Sequence, residues 1–319
     1  MDEVGVKLLL LSLRAHEPNA EIFVSTAALS DNLNSWVKDN INAVQIDISL
    51  DRGLGWNVKP SLLLSLLDAG VESVTWLDSD VILTQPIAKF FSRHSSDTIV
   101  VAEEYFTFRN RGVAERARGW GLDAGRELPY TPNTCVLRVT QHHRELLMAW
   151  QKLLSRPDYV NVQNKPWRDR PFYMMGDQDA LAALLGSVEF KEIRVRRLRR
   201  GRDIAQCFQE DGYGPFERVR NVFNGLPPFV HAQGEKPWRP SAGENAYQEV
   251  SAYRYAALAF DEYLSKDERA WLRRQSRTAA VMDRIMLGHP SLAGLGFAVS
   301  RRLEKRLSGL VRLLSGVGR

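Results

Sequence analysis

The chain has 319 residues, 44% of them hydrophobic and 25% charged, with a formal net charge of +5. That length and apolar content suffice for a large core, which excludes a chain disordered throughout. The two cysteines, Cys135 and Cys207, are too few for a disulfide framework and form no Cys-x-x-Cys metal pattern, so a reducing compartment, the cytoplasm, is expected.

The apolar run Leu8-Leu9-Leu10-Leu11 reads as the buried face of a helix. It is far too short to span a bilayer, and Asp2 and Glu3 stand where a signal peptide carries basic residues. Short apolar segments then alternate with helical ones, and strands are expected at 22–25, 44–48, 74–77, 98–102, 135–139, 188–193 and 229–232. Pro60 suits the first turn of a helix through 62–67, and Thr140 suits the N-cap of a helix carrying Leu146, Leu147 and Leu154. This alternation predicts an α/β fold with a mixed, mostly parallel sheet flanked by helices. From Tyr247 onward the pattern is helical, with a break at Gly288-His289-Pro290, so the expected organisation is a domain over 1–246 and a C-terminal helical extension over 247–319.

Charge is uneven along the chain. From Lys266 onward stand 12 basic against 4 acidic residues, leaving 31 against 34 before it. Leu303, Leu307, Leu310, Val311 and Leu314 repeat at helical spacing while Arg301, Arg302, Lys305, Arg306 and Arg312 point elsewhere. Such a helix can lie on an anionic membrane, with about 1 kcal/mol for each basic residue near the surface, which predicts peripheral contact with the inner membrane face. The alternative is a helix packed on the rest of the protein or on a second subunit with its basic side solvated. A second basic cluster, Arg194, Arg196, Arg197, Arg199, Arg200 and Arg202, has no interleaved aromatics and no helix-turn-helix, RNP or zinc-finger signature beside it, so a nucleic-acid partner is not expected.

The chemistry is concentrated in two segments. In Trp76-Leu77-Asp78-Ser79-Asp80 the two carboxylates lie one residue apart where a strand ends, on the same face, and can converge on one hard cation such as Mn²⁺ or Mg²⁺. A solvated turn is the alternative for that pair alone. Far downstream, Phe229-Val230-His231-Ala232-Gln233-Gly234-Glu235-Lys236-Pro237-Trp238 offers an imidazole ligand in His231, close backbone approach at Gly234 and a cation for phosphate in Lys236. A metal together with a lysine points to a diphosphate.

With Ser12 to Val24, Trp76 to Asp80, Pro132-Asn133-Thr134-Cys135-Val136-Leu137, Gly176-Asp177-Gln178-Asp179-Ala180-Leu181 and the His231 segment in that order, the chain resembles the family 8 glycosyltransferases over roughly residues 4 to 240. The resemblance implies a GT-A fold and metal-dependent transfer of a hexose from a UDP-sugar, with retention; the aromatics and arginines of 106–132 and 167–175 together with the basic tail suit a glycan or lipid-linked acceptor in surface polysaccharide or lipopolysaccharide synthesis. The resemblance also implies that Asp78, Asp80 and His231 hold the metal, that Asp78, Lys236 and Gly234 meet the donor, and that Asn133, Asp177 and Gln178 border the transferred sugar. Lys59 is a further donor-side candidate, or a solvated helix-entry lysine. Asp177 is alternatively the cap of a helix over 178–185. Glu103 and Glu104 are the general-base candidates for an inverting reaction, or else members of a solvated loop. Acceptor contacts are expected from 106–132 and 167–175, which mix Arg, Trp, Tyr and Phe. Family members open with a short strand, whereas this chain opens inside the following helix, so that first strand is expected to be missing and its ladder neighbours exposed. A non-catalytic sugar-nucleotide binder or scaffold is the alternative function.

Overall fold

The computed structural model describes residues 3–25, 30–41, 43–46, 55–104, 112–207, 212–234, 236–239 and 247–314. Helix α1 (Glu3–His16) is followed by β1 (Ile22–Ser25), α2 (Asp31–Asn40), β2 (Ala43–Ile46), α3 (Lys59–Asp68), β3 (Ser73–Leu77), β4 (Val81–Leu83), α4 (Ala88–Phe91) and β5 (Thr98–Glu103). Next come α5 (Val113–Gly119), β6 (Pro132–Thr140), α6 (Arg144–Leu154), α7 (Pro157–Gln163), α8 (Asp177–Gly186), β7 (Arg194–Leu198), β8 (Ile204–Gln206), α9 (Pro215–Asn224) and β9 (Phe229–His231). The chain ends in α10 (Ala252–Leu258), α11 (Ala270–Arg273), α12 (Arg277–Ile285) and α13 (Leu295–Leu314).

Among the described residues three parallel and three antiparallel pairings link the strands of three sheets, so the arrangement is mixed, with parallel pairing no more frequent than antiparallel. β1 pairs parallel with β2; β3, β6, β5 and β7 form a four-stranded sheet in that order; β4, β9 and β8 form a third. Helices flank these sheets, as the alternation of segments predicts. α1 is buried at Leu8, Leu9, Leu10 and Leu11, and the Ser12 hydroxyl accepts the Leu83 N–H at 3.1 Å, which fastens the helix to β4. Among the described residues no strand lies between β1 and β3. Every residue of both strands lines one cleft instead.

Pro60 does stand in the first turn of α3. Thr140 caps a 3-10 turn, Gln141–His143, that leads into α6, and His143 returns Nδ1 to the Thr140 N–H at 3.0 Å.

The strand expected at 188–193 lies elsewhere. Those residues form turns tied to the preceding loop, with the Val188 N–H donating to Asp123 O at 2.8 Å, and the strand is β7, pairing parallel with β5. Arginine content disguises β7, yet its charges are met locally: Arg194 by Asp97 at 3.4 Å, Arg196 by Asp203 at 3.8 Å and Arg197 by Glu103 at 3.9 Å. Charged side chains on an outer strand also discourage edge-to-edge pairing.

The helices after Tyr247 share a core with the sheets. Ala252, Tyr253, Ala257, Leu264 and Leu272 pack with Leu8, Ile82, Ala205 and Val230. Leu287 and Gly288, both with positive φ (55° and 61°), end the turn after α12 and lead to His289-Pro290 before α13.

Candidate active site

Strand register brings the two sequence segments together. In the antiparallel β4–β9 ladder Val81 lies opposite His231, so Asp80, one residue earlier, falls beside the imidazole. His231 Nε2 is 3.2 Å from Asp80 Oδ2, and the Ala232 N–H donates to Asp80 O at 2.9 Å. Asp78 directly follows β3, its N–H bonded to Cys135 O at 2.8 Å and its carbonyl accepting the Val81 N–H at 3.0 Å. This tight turn aims both carboxylates at one point. Ligand atoms of Asp78, Asp80 and His231 all lie within 4.8 Å of one another.

The imidazole is held from behind. Gln206, fully buried on β8, donates its amide N–H to Glu103 O at 2.9 Å, which leaves Oε1 as acceptor 2.6 Å from His231 Nδ1. In the neutral ring the proton therefore resides on Nδ1, and the Nε2 lone pair faces Asp80. Burial opposes a charged ring here, but the neighbouring Cys135 sulfur and Asp80 carboxylate outweigh it and raise the His231 pKa above its ordinary value. Burial likewise opposes ionisation of Asp80, yet His231 and Lys236 hold its carboxyl well below the usual carboxylate range.

Two lysines supply the positive charge. Lys236 pairs with Asp80 and donates to Ala232 O at 2.9 Å. Lys59, far from solvated, is buried at the start of α3, 3.0 Å from Asp78, 3.2 Å from Asp177 and 2.9 Å from the Thr134 hydroxyl. Burial alone would lower its pKa, but Asp177 and Asp78 together raise it. A break in the β5–β6 register between Val101 and Ala102 takes the strand out of regular pairing at Thr134 and Cys135, the residues that meet Lys59 and the His231 ring.

A third cluster surrounds Glu104, which is buried. Its Oε2 accepts from Asn133 at 2.8 Å and from Gln178 at 2.7 Å, and its Oε1 accepts from Gln233 at 2.6 Å. Asn133 spends its carbonyl on the Cys135 N–H at 2.9 Å. Asp177 is not the cap of α8. The Gly176 N–H is satisfied by Asp179 at 3.1 Å, while the Asp177 carboxylate accepts from Thr134 at 2.9 Å. Asp179 is paired with the buried Arg116 at 2.9 Å, and burial nevertheless pushes its pKa up to about 6.

One cleft of 1210 Å³ collects all of these groups: Lys59, Asp78, Asp80, Asn133, Asp177, Gln178, His231, Gly234 and Lys236 line it, with Glu104 and Gln233. Trp167 and Met175 from one of the two stretches expected to meet an acceptor, and Arg116 from the other, also line it; residues 106–111 and Glu235 lie outside the described residues. The sequence reading missed Gln206, Thr134 and Gln233. The available signal was Gln206 itself, a polar residue set among Ile204, Ala205 and Cys207.

No protein-family model matches the chain, and no curated protein matches it in sequence. Among solved structures it is similar to the galactosyltransferase LgtC in complex with donor and acceptor sugar analogues, with a TM-score of 0.52 at 17% identity over 84% of this chain and 96% of that one. It is also similar to an active-site mutant of LgtC, with a TM-score of 0.50 at 15% identity over the same shares. The chain has the GT-A fold of the glycosyltransferases, as its motif order implies.

Proposed function

We propose that the protein transfers a hexose from a UDP-sugar to a glycan or lipid-linked acceptor, with a divalent cation and with retention at the anomeric carbon. The observation that carries the reading is the convergence of Asp78, Asp80 and His231 within 4.8 Å beside a cleft of 1210 Å³. Two carboxylates and one imidazole nitrogen fit the hard, mixed donor set that Mn²⁺ or Mg²⁺ accepts, and in the neutral ring Nε2, which lies 3.2 Å from Asp80, is the nitrogen that would ligate. A cation bound there would act as a Lewis acid toward the leaving diphosphate.

The remaining work belongs to the side chains. An ion taking up Asp80 would release Lys236, whose ammonium then suits a phosphate oxygen. Lys59 neutralises Asp78 and Asp177 so that these carboxylates coexist in one buried site. Gln178 spends its amide N–H on Glu104, which leaves its carbonyl oxygen to accept sugar hydroxyls or to face positive character at the ring.

The acceptor belongs to surface polysaccharide or lipopolysaccharide synthesis in this reading, and the basic extension over 247–319 meets an anionic membrane from the cytoplasmic side. Among the described residues no helix is long and apolar enough to cross a membrane. A sugar-nucleotide binder without turnover is the second reading, favoured by the lysines that already neutralise Asp78 and Asp80.

Both readings are separated by incubating the protein with UDP- and GDP-sugars, with Mn²⁺ or with chelator, and measuring nucleotide release. Metal-dependent release from a UDP-sugar that falls at least ~100-fold in Asp80→Ala is expected. Release equal in the variant and the wild type would contradict the transferase reading; tight UDP binding without release would establish the binder.

A further inference from the structure

Helix α9 is built inside out. Its inward side is polar: Arg218 and Asn221 are buried, the guanidinium donating to Tyr213 O at 2.6 Å and stacking on the Tyr213 ring at 4.5 Å, the amide donating to Gly201 O at 2.9 Å. Its outward side carries an apolar stripe beside the exposed Arg220 and Asn224. Phe216, Val219 and Phe223 recur at helical spacing on one face, and Phe216 and Phe223 are 77% and 86% exposed. With Leu287 at 90%, these are the three most exposed large hydrophobic side chains among the described residues. This helix thus holds Arg218 in the core and two aromatic rings in solvent, which water does not favour.

The neighbouring helix continues the surface. α13 packs on α9, and the Arg302 guanidinium sits over the Phe216 ring at 5.2 Å. Val299, Leu303 and Leu307 form an exposed stripe on α13, with Arg302 and Arg306 along its flank. Met282 of α12 meets α13 at Gly296, and α12 adds exposed Val281 and Ile285. Apolar rings bordered by arginines match a bilayer whose headgroups are anionic: the rings enter the acyl boundary while the guanidiniums stay with phosphate.

We infer that Phe216 and Phe223 of α9, together with the Val299–Leu303–Leu307 stripe of α13, form one docking face for an anionic lipid bilayer. This deepens the membrane part of the reading above by adding a second element, one that the basic terminal helix alone does not require. It does not depend on sugar transfer.

The test uses the full chain, vesicles of phosphatidylglycerol and of phosphatidylcholine, and co-sedimentation. The wild type should bind phosphatidylglycerol vesicles and release at high salt, and Phe216→Ser with Phe223→Ser should weaken the partition about tenfold for each ring removed. Leu303→Ser with Leu307→Ser should do the same from the other helix. Unfolding midpoint and nucleotide release in solution should stay at wild-type values in both variants, since none of the four side chains lines the cleft.

Vesicle binding undiminished in the phenylalanine variant overturns the inference while leaving docking by α13 standing. No vesicle binding by the wild type overturns both. A wild-type dimer in sedimentation that dissociates in the variant also overturns it, by identifying a second copy as the cover.

Discussion

Gln206 Oε1 and His231 Nδ1 lie 2.6 Å apart, and that contact determines which nitrogen of the ring is available at the mouth of the site. Because the Gln206 amide is itself oriented by Glu103 O, the chain runs from backbone through amide to imidazole without a free rotor. Gln206→Leu should therefore weaken Mn²⁺ binding by about tenfold to a hundredfold while leaving the fold intact. Calorimetric titration of both proteins with Mn²⁺ checks this, and equal affinities would contradict the assigned role.

Lys59 stands between two carboxylates with almost no solvent to share the charge. Lys59→Met leaves Asp78 and Asp177 facing each other, a loss on the order of 3 kcal/mol for breaking a buried pair from one side. Urea unfolding should show it, and saturating Mn²⁺ should recover part of the loss by neutralising Asp78. A variant as stable as the wild type without metal would refute this account.

Glu104 gathers three amides from three separate parts of the chain. In Glu104→Leu all three amides lose this acceptor, Gln178 among them, so the orientation of Gln178 is no longer fixed. Turnover of the UDP-sugar is expected to fall about tenfold or more, whereas binding of UDP with Mn²⁺, which needs no sugar contact, should hold within about twofold. Equal losses in both measurements would point to general disruption of the site.

His143 is buried, and its Nδ1 accepts the Thr140 N–H. Burial pushes its pKa down to about 4 from an ordinary 6.5. In that window the unfolded chain takes up a proton that the native ring refuses, so this contribution is complete above about pH 6.5 and declines as pH falls toward 4, by about 3 kcal/mol at most. His143→Asn keeps an acceptor near Nδ1 and should flatten that slope. Unfolding free energies at several pH values decide, and an unchanged slope would assign it to other groups.

Much of the site is legible in sequence because its chemistry is local to short segments. Asp78 and Asp80 share a face by strand alternation, and His231 closes an apolar run as a ligand at a strand end does. The support is less legible, since it depends on register. Nothing in Ile204-Ala205-Gln206 announces that β8 pairs with β9 so as to align Gln206 with His231. Glu104 reads as loop because its three partners come from distant positions, and Lys59 reads as solvated because its burial is produced by Asp78 and Asp177 closing over it. β7 was hidden for a different reason: its arginines contradict strand propensity, and only Asp97, Glu103 and Asp203 make them tolerable there.

The pairing of Val81 with His231 joins positions from opposite halves of the polypeptide. Contacts of such long separation carry a large closure cost and form after local structure has appeared. An ion gripping Asp80 and His231 together would then clamp a junction absent from the folding barrier, so Mn²⁺ should slow unfolding many-fold while scarcely changing the refolding rate. The cation would act as a late-set lock on the native lifetime as well as an aid to chemistry, and stopped-flow kinetics with and without chelator would reveal it.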